Sequence, residues 1–397
     1  MINPNEYGSL LYDFEEEQNI VNVIKARRIF RYSRTAFDYV TQFESAVCEL
    51  MRVKHCLGIV NGTAGLITAL IAAGIKGGDR VLVSSYTYQA TALAVVNVGA
   101  IPIPVEVDFE TGIDLEDIKR HLCPECKAII ATHFQGRCFN LNSLYSFAKN
   151  NNLILIEDAC QAFGAKYSEK YAGCQSDIGV FSFQQFKQVS AGEGGAIVTN
   201  NTDYYNRARN YTDMGAVRDH FPDWNAEETI IGQNLRMNQL CGAILCAQLN
   251  KLSYMLEQQT ASRNTIYSML ANPKLEVIDS KDPSGDTGMN ILISIKNERY
   301  KEAVKLAKEQ EIEIRRMWGD VYFNNNLFIK NKLFDLALRD DECVKSRFLA
   351  NTMCVISVPP VLTKENERKL ADFINFLYVK NFMDQTLVKV MNVEIDS

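Results

Sequence analysis

Lys187 and Asp158 are the residues whose types and spacing point to chemistry. The lysine lies in FSFQQFKQVSAGEGGAIVTN (residues 181–200), where one β-like run arrives and a polar turn presents the amine. Gly192, Gly194 and Gly195, able to take φ > 0 or a close backbone approach, then let the chain turn into a second apolar run. Asp158 ends the apolar run of NNLILIEDACQ (residues 151–161). A carboxylate at the end of a buried strand, followed by a lysine, suits a cofactor that needs an acid at one end and an amine at the other. Pyridoxal phosphate makes those demands: its aldehyde takes a lysine amine as a Schiff base, and its ring nitrogen takes an acidic partner that keeps it protonated.

The same cofactor needs donors for its phosphate and a cover for its ring. Gly62, Thr63 and Ala64 stand where the apolar run 57–61 gives way to a helix-like stretch, so their N–H groups can face an anion, and Ser182 can add a hydroxyl. Tyr88 in SSYTYQAT, just past the run 80–84, is the candidate ring lid.

Five ordered segments, NGTAGL, SSYTYQAT, IEDACQAFGA, FSFQQFK with GEGGAIVTN, and IGQNLRMNQLCGAILCAQL, give the chain a resemblance to the DegT-type sugar aminotransferases, which are fold-type-I pyridoxal phosphate enzymes. The resemblance runs from about Phe30 to Leu252. It implies Lys187 as the Schiff-base lysine, Asp158 as the pyridinium partner and Gln161 near the ring hydroxyl. It further implies Thr63, Ala64 and Ser182 at the phosphate, Tyr88 stacked on the ring, and Asn234 reaching the phosphate of a neighbouring subunit, hence a homodimer with shared active sites. The implied reaction moves an amino group from glutamate or glutamine to a keto sugar, because the sugar-dehydrating variant of the family carries histidine in place of this lysine.

The acceptor is left open. RIFRYSRTAF (residues 28–37) is similar to the branch that aminates acidic octulosonate-type sugars, which would give Arg31, Tyr32 and Arg34 a substrate carboxylate to hold; a solvated basic turn is the other reading. FSFQQ resembles the branch acting on cyclitols, and a nucleotide-sugar acceptor is the further alternative. A non-catalytic pyridoxal-binding regulator on the same fold is the rival from another class, since fold does not fix function, and the unbroken set of Lys187, Asp158, Gln161 and Ser182 argues against it.

Composition narrows the field. At 397 residues, 47% hydrophobic and 23% charged, the chain has the length for two domains and the side chains for a sizeable core. A net charge of −6 lacks the basic stripe of a nucleic-acid binder. No apolar run approaches the length of a membrane span, and the acidic opening MINPNEYGSLLYDFEEEQ lacks a signal-peptide pattern, so a cytoplasmic protein is expected. The 11 cysteines are odd in number and scattered, and read as reduced thiols. Cys123 and Cys126 make one CxxC knuckle without a second, which favours a plain loop over zinc, and no metal is expected. No G-x-G-x-x-G follows a strand, which argues against a nucleotide-binding oxidoreductase.

The elements that must position these residues follow from the alternation of short apolar runs (57–61, 80–84, 101–107, 128–133, 153–157, 178–183 and 196–199) with helical patterns. The pattern predicts an α/β fold with a mostly parallel seven-stranded sheet, covered on both faces, whose ligand sits at the strand C-termini. Together with the resemblance, this gives a fold-type-I aminotransferase-like architecture. A long helix over 249–270 sets a boundary near residue 250, between a large cofactor-binding domain with an N-terminal arm (1–250) and a smaller α+β C-terminal domain (251–397). His133 is expected as a satisfied strand-end histidine rather than a catalyst.

Overall fold

The computed structural model describes residues 6–32, 36–108, 112–215, 230–272, 282–318, 321–324 and 343–384. Helix α1 (Phe14–Ala26) starts where it does because Asp13 caps it and the Glu16 carboxylate returns to the Asp13 amide at 2.9 Å. Helix α2 (Tyr39–Met51) buries Val40, Phe43, Val47 and Met51 on one face.

The next elements alternate as predicted: β1 (His55–Ile59), α3 (Gly62–Ala72), β2 (Arg80–Ser84), α4 (Gln89–Asn97), β3 (Ile101–Val105), α5 (Leu115–His121), β4 (Cys126–Thr132), α6 (Asn142–Asn150) and β5 (Ile154–Asp158). A short hairpin, β6 (Lys166–Tyr167) and β7 (Lys170–Tyr171), precedes β8 (Ile178–Ser182) and β9 (Gly195–Thr199). The seven-stranded sheet has the order β1-β9-β8-β5-β4-β2-β3. Strand β9 runs antiparallel to both neighbours and every other pair is parallel. Its strands are buried almost throughout, as a sheet covered on both faces requires.

Helix α7 (Thr202–Thr212) lies against α3, while α8 (Gln239–Asn250) packs on α1 and α2, which is how its nearly all-apolar stretch is buried. The single helix expected over 249–270 is broken at Lys251, and α9 (Leu252–Ser268) follows. Lys251 leaves the helical run to donate to Leu11 O at 2.8 Å and to pair with Asp13 and Glu16, tying the junction to the arm.

A second, antiparallel sheet has the order β10-β12-β11, from β10 (Asn290–Ser294), β11 (Arg315–Arg316) and β12 (Met353–Ser357). Strand β11 is only two residues long, pairing with β12 through Arg315 and Arg316, while Glu311 takes φ 54° just after α10. Helices α10 (Tyr300–Glu309), α11 (Val344–Thr352) and α12 (Lys364–Val379) accompany this sheet. Ile291 and Ile293 of β10 pack with Phe373 and Ile374 of α12, while Leu292 joins the core of the large sheet, so strand alternation binds the two layers together. Among the described residues no helix is long and apolar enough to cross a membrane.

Candidate functional site

A cavity of about 740 Å³ opens where β5, β8 and the start of α3 converge. Asp158 is the last residue of β5 and Ser182 the last of β8, so both stand at strand C-termini, where open α/β sheets bind ligands. Gly62, Thr63, Tyr88, Asp158, Gln161, Ser182 and Lys187 all line this cavity.

The start of α3 explains the glycine. Asn61 caps the helix, accepting from Ala64 N at 2.8 Å, so the first two amides, those of Gly62 and Thr63, have no intrahelical partner and carry the positive end of the helix dipole. A Cβ on Gly62 would sit 2.8 Å from Cys160 Sγ and 2.9 Å from Ser182 Cβ, so any larger residue closes the cradle. Ala64 departs from the sequence expectation. Its amide is taken by Asn61, and the residue does not line the cavity.

Lys187 rides on the β8–β9 connection. That loop is held by Phe183 N to Gly194 O (2.8 Å), Ala191 N to Phe183 O (2.9 Å) and Gln185 N to Gly192 O (3.0 Å), with Gly192 at φ 78°. The Lys187 amide donates to Gln184 O at 2.9 Å, and its carbonyl accepts from Gly8 N of the arm at 3.3 Å. Burial of the amine pushes its pKa below the usual lysine value, while the Cys160 and Asp158 side chains pull the other way.

Asp158 is braced on both oxygens. Oδ2 accepts from Thr91 Oγ1 of α4 at 2.7 Å and Oδ1 from Cys160 N at 3.2 Å. Thr91 in turn meets Thr87 at 3.0 Å, and Thr132 donates to Thr87 at 3.2 Å, a line of hydroxyls running back to β4. Behind it His133 Nε2 lies 2.7 Å from Glu157 Oε2, and its Nδ1 accepts from Phe139 N at 3.1 Å, so both ring nitrogens are satisfied in a fully buried setting, as expected. Tyr88 is 52% exposed at the cavity mouth. Trp318 stands against Tyr86 and Phe134 (ring centroids 4.8 and 5.6 Å) and joins Arg315 in the wall contributed by the C-terminal region.

The basic cluster lies elsewhere. Arg31 is buried and gives Nη2 to both Glu44 oxygens, at 2.6 and 2.8 Å, while Glu44 also accepts from Gly58 N at 2.6 Å. Tyr32 donates to Asp213 at 2.8 Å, and Asp213 also pairs with Arg236. Neither Arg31 nor Tyr32 lines the cavity of its own chain; Arg31 Nη2 and the Tyr32 hydroxyl are taken by internal carboxylates. Arg34 lies outside the described residues. Asn234 is exposed, bridges to Asp213 and stands apart from its own chain's cavity. Cys123 and Cys126 face each other across a turn at 3.4 Å, and no group of three metal-ligating side chains occurs among the described residues.

Sequence reasoning missed Tyr7, Thr91 and Gln135, all of which line the cavity. Thr91 had a signal, its place in SSYTYQAT beside Tyr88; Gln135 had a weaker one, a Gln-Gly pair just after the fourth apolar run. Tyr7 had none.

Comparison with known proteins adds an independent line. The family model for the DegT/DnrJ/EryC1/StrS aminotransferase family matches residues 13–375. GDP-perosamine synthase of Escherichia coli O157:H7 is 33% identical over 287 residues, 72% of this chain and 78% of that protein. L-glutamine:2-deoxy-scyllo-inosose aminotransferase of Micromonospora echinospora is 34% identical over 234 residues, 57% of this chain and 55% of that protein. The X-ray structure of the aminotransferase from Psychrobacter cryohalolentis matches the fold with a TM-score of 0.82 at 24% identity, covering 93% of this chain and 98% of that one.

Proposed function

Since the chain belongs to the DegT/DnrJ/EryC1/StrS aminotransferase family, whose members depend on pyridoxal phosphate, we propose that it moves an amino group from glutamate or glutamine to a keto sugar or keto cyclitol. The observation that carries this reading is one cavity holding a desolvated amine (Lys187), a braced carboxylate (Asp158) and two helix-start amides without intrahelical partners (Gly62 and Thr63). When bound, the cofactor supplies an electron sink for the charge that develops beside the transferred nitrogen.

The chain's own residues then have defined tasks. Gly62 and Thr63 N–H and the Ser182 hydroxyl hold the phosphate. Asp158 would hold the ring nitrogen and favour its protonated form, Gln161 would reach the ring oxygen, and Tyr88 would cover the ring. Lys187 Nζ would be the amine that holds the aldehyde and, when free and neutral, the base that takes up and gives back a proton beside the transferred nitrogen. A lowered pKa suits this double use, because the amine must be neutral to accept the proton. Asn234, exposed on its own chain, serves the phosphate of a second copy, which makes the working unit a homodimer.

Gln184, Gln188 and Glu193 give the cavity polar groups that match a hydroxyl-rich ring, and the relatives named for perosamine and scyllo-inosose chemistry support neutral acceptors of that kind. Arg315, on the cavity wall, would meet a carboxylate of the amino donor. The test is an absorbance titration of the purified protein with L-glutamate and L-glutamine, followed by nucleotide-linked keto sugars and keto cyclitols. A donor should bleach the visible band and one acceptor class should restore it. A band that neither donor changes would leave a cofactor-binding regulator as the better account.

A further inference from the structure

Gln161 ends a chain of side-chain hydrogen bonds that begins in the N-terminal arm. Tyr7 Oη donates to Asn290 Oδ1 at 2.7 Å and lies 3.1 Å from Ser357 Oγ. Asn290 Nδ2 donates to Gln135 Oε1 at 2.7 Å, and Gln135 Nε2 donates to Gln161 Oε1 at 2.8 Å. All four residues are buried, from 1% exposed at Asn290 and Tyr7 to 8% at Gln161. They come from four places in the chain: the arm, the first residue of β10, the turn after β4 and the segment after β5.

Such a chain has a polarity. An amide that accepts on its oxygen donates from its nitrogen, so with the Tyr7 proton given to Asn290 Oδ1, the shorter of its two contacts, every orientation downstream follows. The origin here is a phenol, which keeps its proton near neutral pH, and burial raises its pKa further. The last oxygen to be taken is Gln161 Oε1, which leaves the Gln161 Nε2 group as the donor toward the cavity that Gln161 lines.

The backbone carries a second, independent sign. Gln135 (φ 49°) and Gly136 (φ 81°) form the centre of a tight turn whose ends, Phe134 and Arg137, bond each other in both directions. An L residue with φ > 0 is a strained choice, and such strain gathers where surroundings force it. This turn is pinned by Gly136 N to Gln161 O at 2.7 Å and Thr287 N to Gly136 O at 3.0 Å. The strained residue is the one that orients the Gln161 amide.

We propose that Tyr7, Asn290 and Gln135 are positioning residues that fix Gln161 with its N–H toward the ring oxygen of the bound cofactor, so that the arm and the three-stranded sheet tune the charge on that oxygen. This inference rests on the cofactor site proposed above. An N–H on the oxygen favours the form with more negative charge there, which is the high-pH form in which the neighbouring nitrogen has lost its proton. Loss of the donor therefore moves that titration upward.

The experiment follows the visible band of the holoenzyme against pH in wild type and in Gln161→Ala, Gln135→Asn and Tyr7→Phe, with the cofactor dissociation constant and melting temperature measured alongside. Asparagine tolerates φ > 0 but is one carbon too short to reach Gln161; Tyr7→Phe removes a single oxygen and carries the test by itself if the other variant does not fold. The midpoint is expected to rise by about one pH unit in Gln161→Ala, by a similar amount in Gln135→Asn and by less in Tyr7→Phe, with cofactor still bound. Native midpoints in Gln135→Asn and Tyr7→Phe beside a shifted Gln161→Ala overturn the relay and leave Gln161 at the ring oxygen. A native midpoint in Gln161→Ala overturns the relay together with the Gln161 assignment. Melting temperatures that fall without any spectral shift reduce the chain to structural cement. Wild-type protein with no borohydride-fixed adduct at Lys187 would locate the failure in the cofactor reading itself.

Discussion

Thr91 Oγ1 donates to Asp158 Oδ2 at 2.7 Å, so a helix that covers the sheet sets the rotation of a carboxylate at the sheet's C-terminal edge. Asp158 cannot turn toward solvent without breaking this bond and the one from Cys160 N. Thr91→Val keeps the shape and removes the donor. Its kcat/KM is expected to fall roughly tenfold to a hundredfold, since a hydrogen bond to a charged group contributes about 1.5–3 kcal/mol. Steady-state kinetics with cofactor saturating check this, and wild-type values would mean that the cap from Cys160 N suffices.

Lys187→Ala is expected to bind the cofactor without a borohydride-stable linkage and to lose more than about a thousandfold in turnover. Peptide mapping after reduction checks the first part and single-turnover rates the second. Retained turnover would remove Lys187 from the reaction.

Burial lowers the Lys187 pKa in the folded chain, whereas the unfolded chain keeps the ordinary value near 10.4. Between the two values the unfolded state holds the extra proton, so this group's contribution to the stability of the cofactor-free protein rises with pH across that window. The rate of cofactor uptake should rise with pH and level off at a midpoint below that of an exposed lysine. Stopped-flow uptake and a denaturant series against pH test both, with Lys187→Met as the reference in which the stability trend disappears.

The Arg31–Glu44 pair is expected to matter for stability rather than for substrate. Glu44→Gln leaves a buried guanidinium short of its counter-charge, and removing one partner of such a pair costs about 3–5 kcal/mol. Thermal unfolding should show the loss while KM for the keto acceptor stays within about twofold of wild type. A raised KM at unchanged stability would instead return Arg31 to the substrate.

If Asn234 serves the neighbouring subunit's site, two inactive proteins can repair each other. Mixing Lys187→Ala with Asn234→Ala after unfolding and refolding gives hybrids in which one site holds both native residues. Roughly a quarter of wild-type activity is expected from statistical pairing in a two-fold dimer. No recovery, from hybrids shown to form by light scattering, counts against the shared site.

What the sequence revealed and what it hid divide along distance in the chain. Asp158, Ser182, Gly62 and Thr63 were legible because strand end, turn and helix start are local events that fix where a side chain points. Ala64 shows the limit of reading the same motif, since a helix start also requires knowing which amide the cap residue takes. Arg31 displayed its donors in the sequence, but Glu44 is 13 residues further on, on another element, and only the fold shows that the two meet. Tyr7 was hidden for the same reason on a larger scale, and Gln135 was marked only by the glycine that follows it.

Tyr7 reaches Ser357, 350 positions away in the chain. During synthesis the large sheet can form once β9 has been made, yet the wall that Tyr7 shares with Asn290 and Ser357 must wait for β10 and β12. Loop closure of that span comes late and raises the contact order of the pocket above that of the sheet beneath it. A chain that stops before β12 would therefore present a folded scaffold whose binding site is still open on one side, and ligand capture would report the docking of the second sheet rather than the folding of the core.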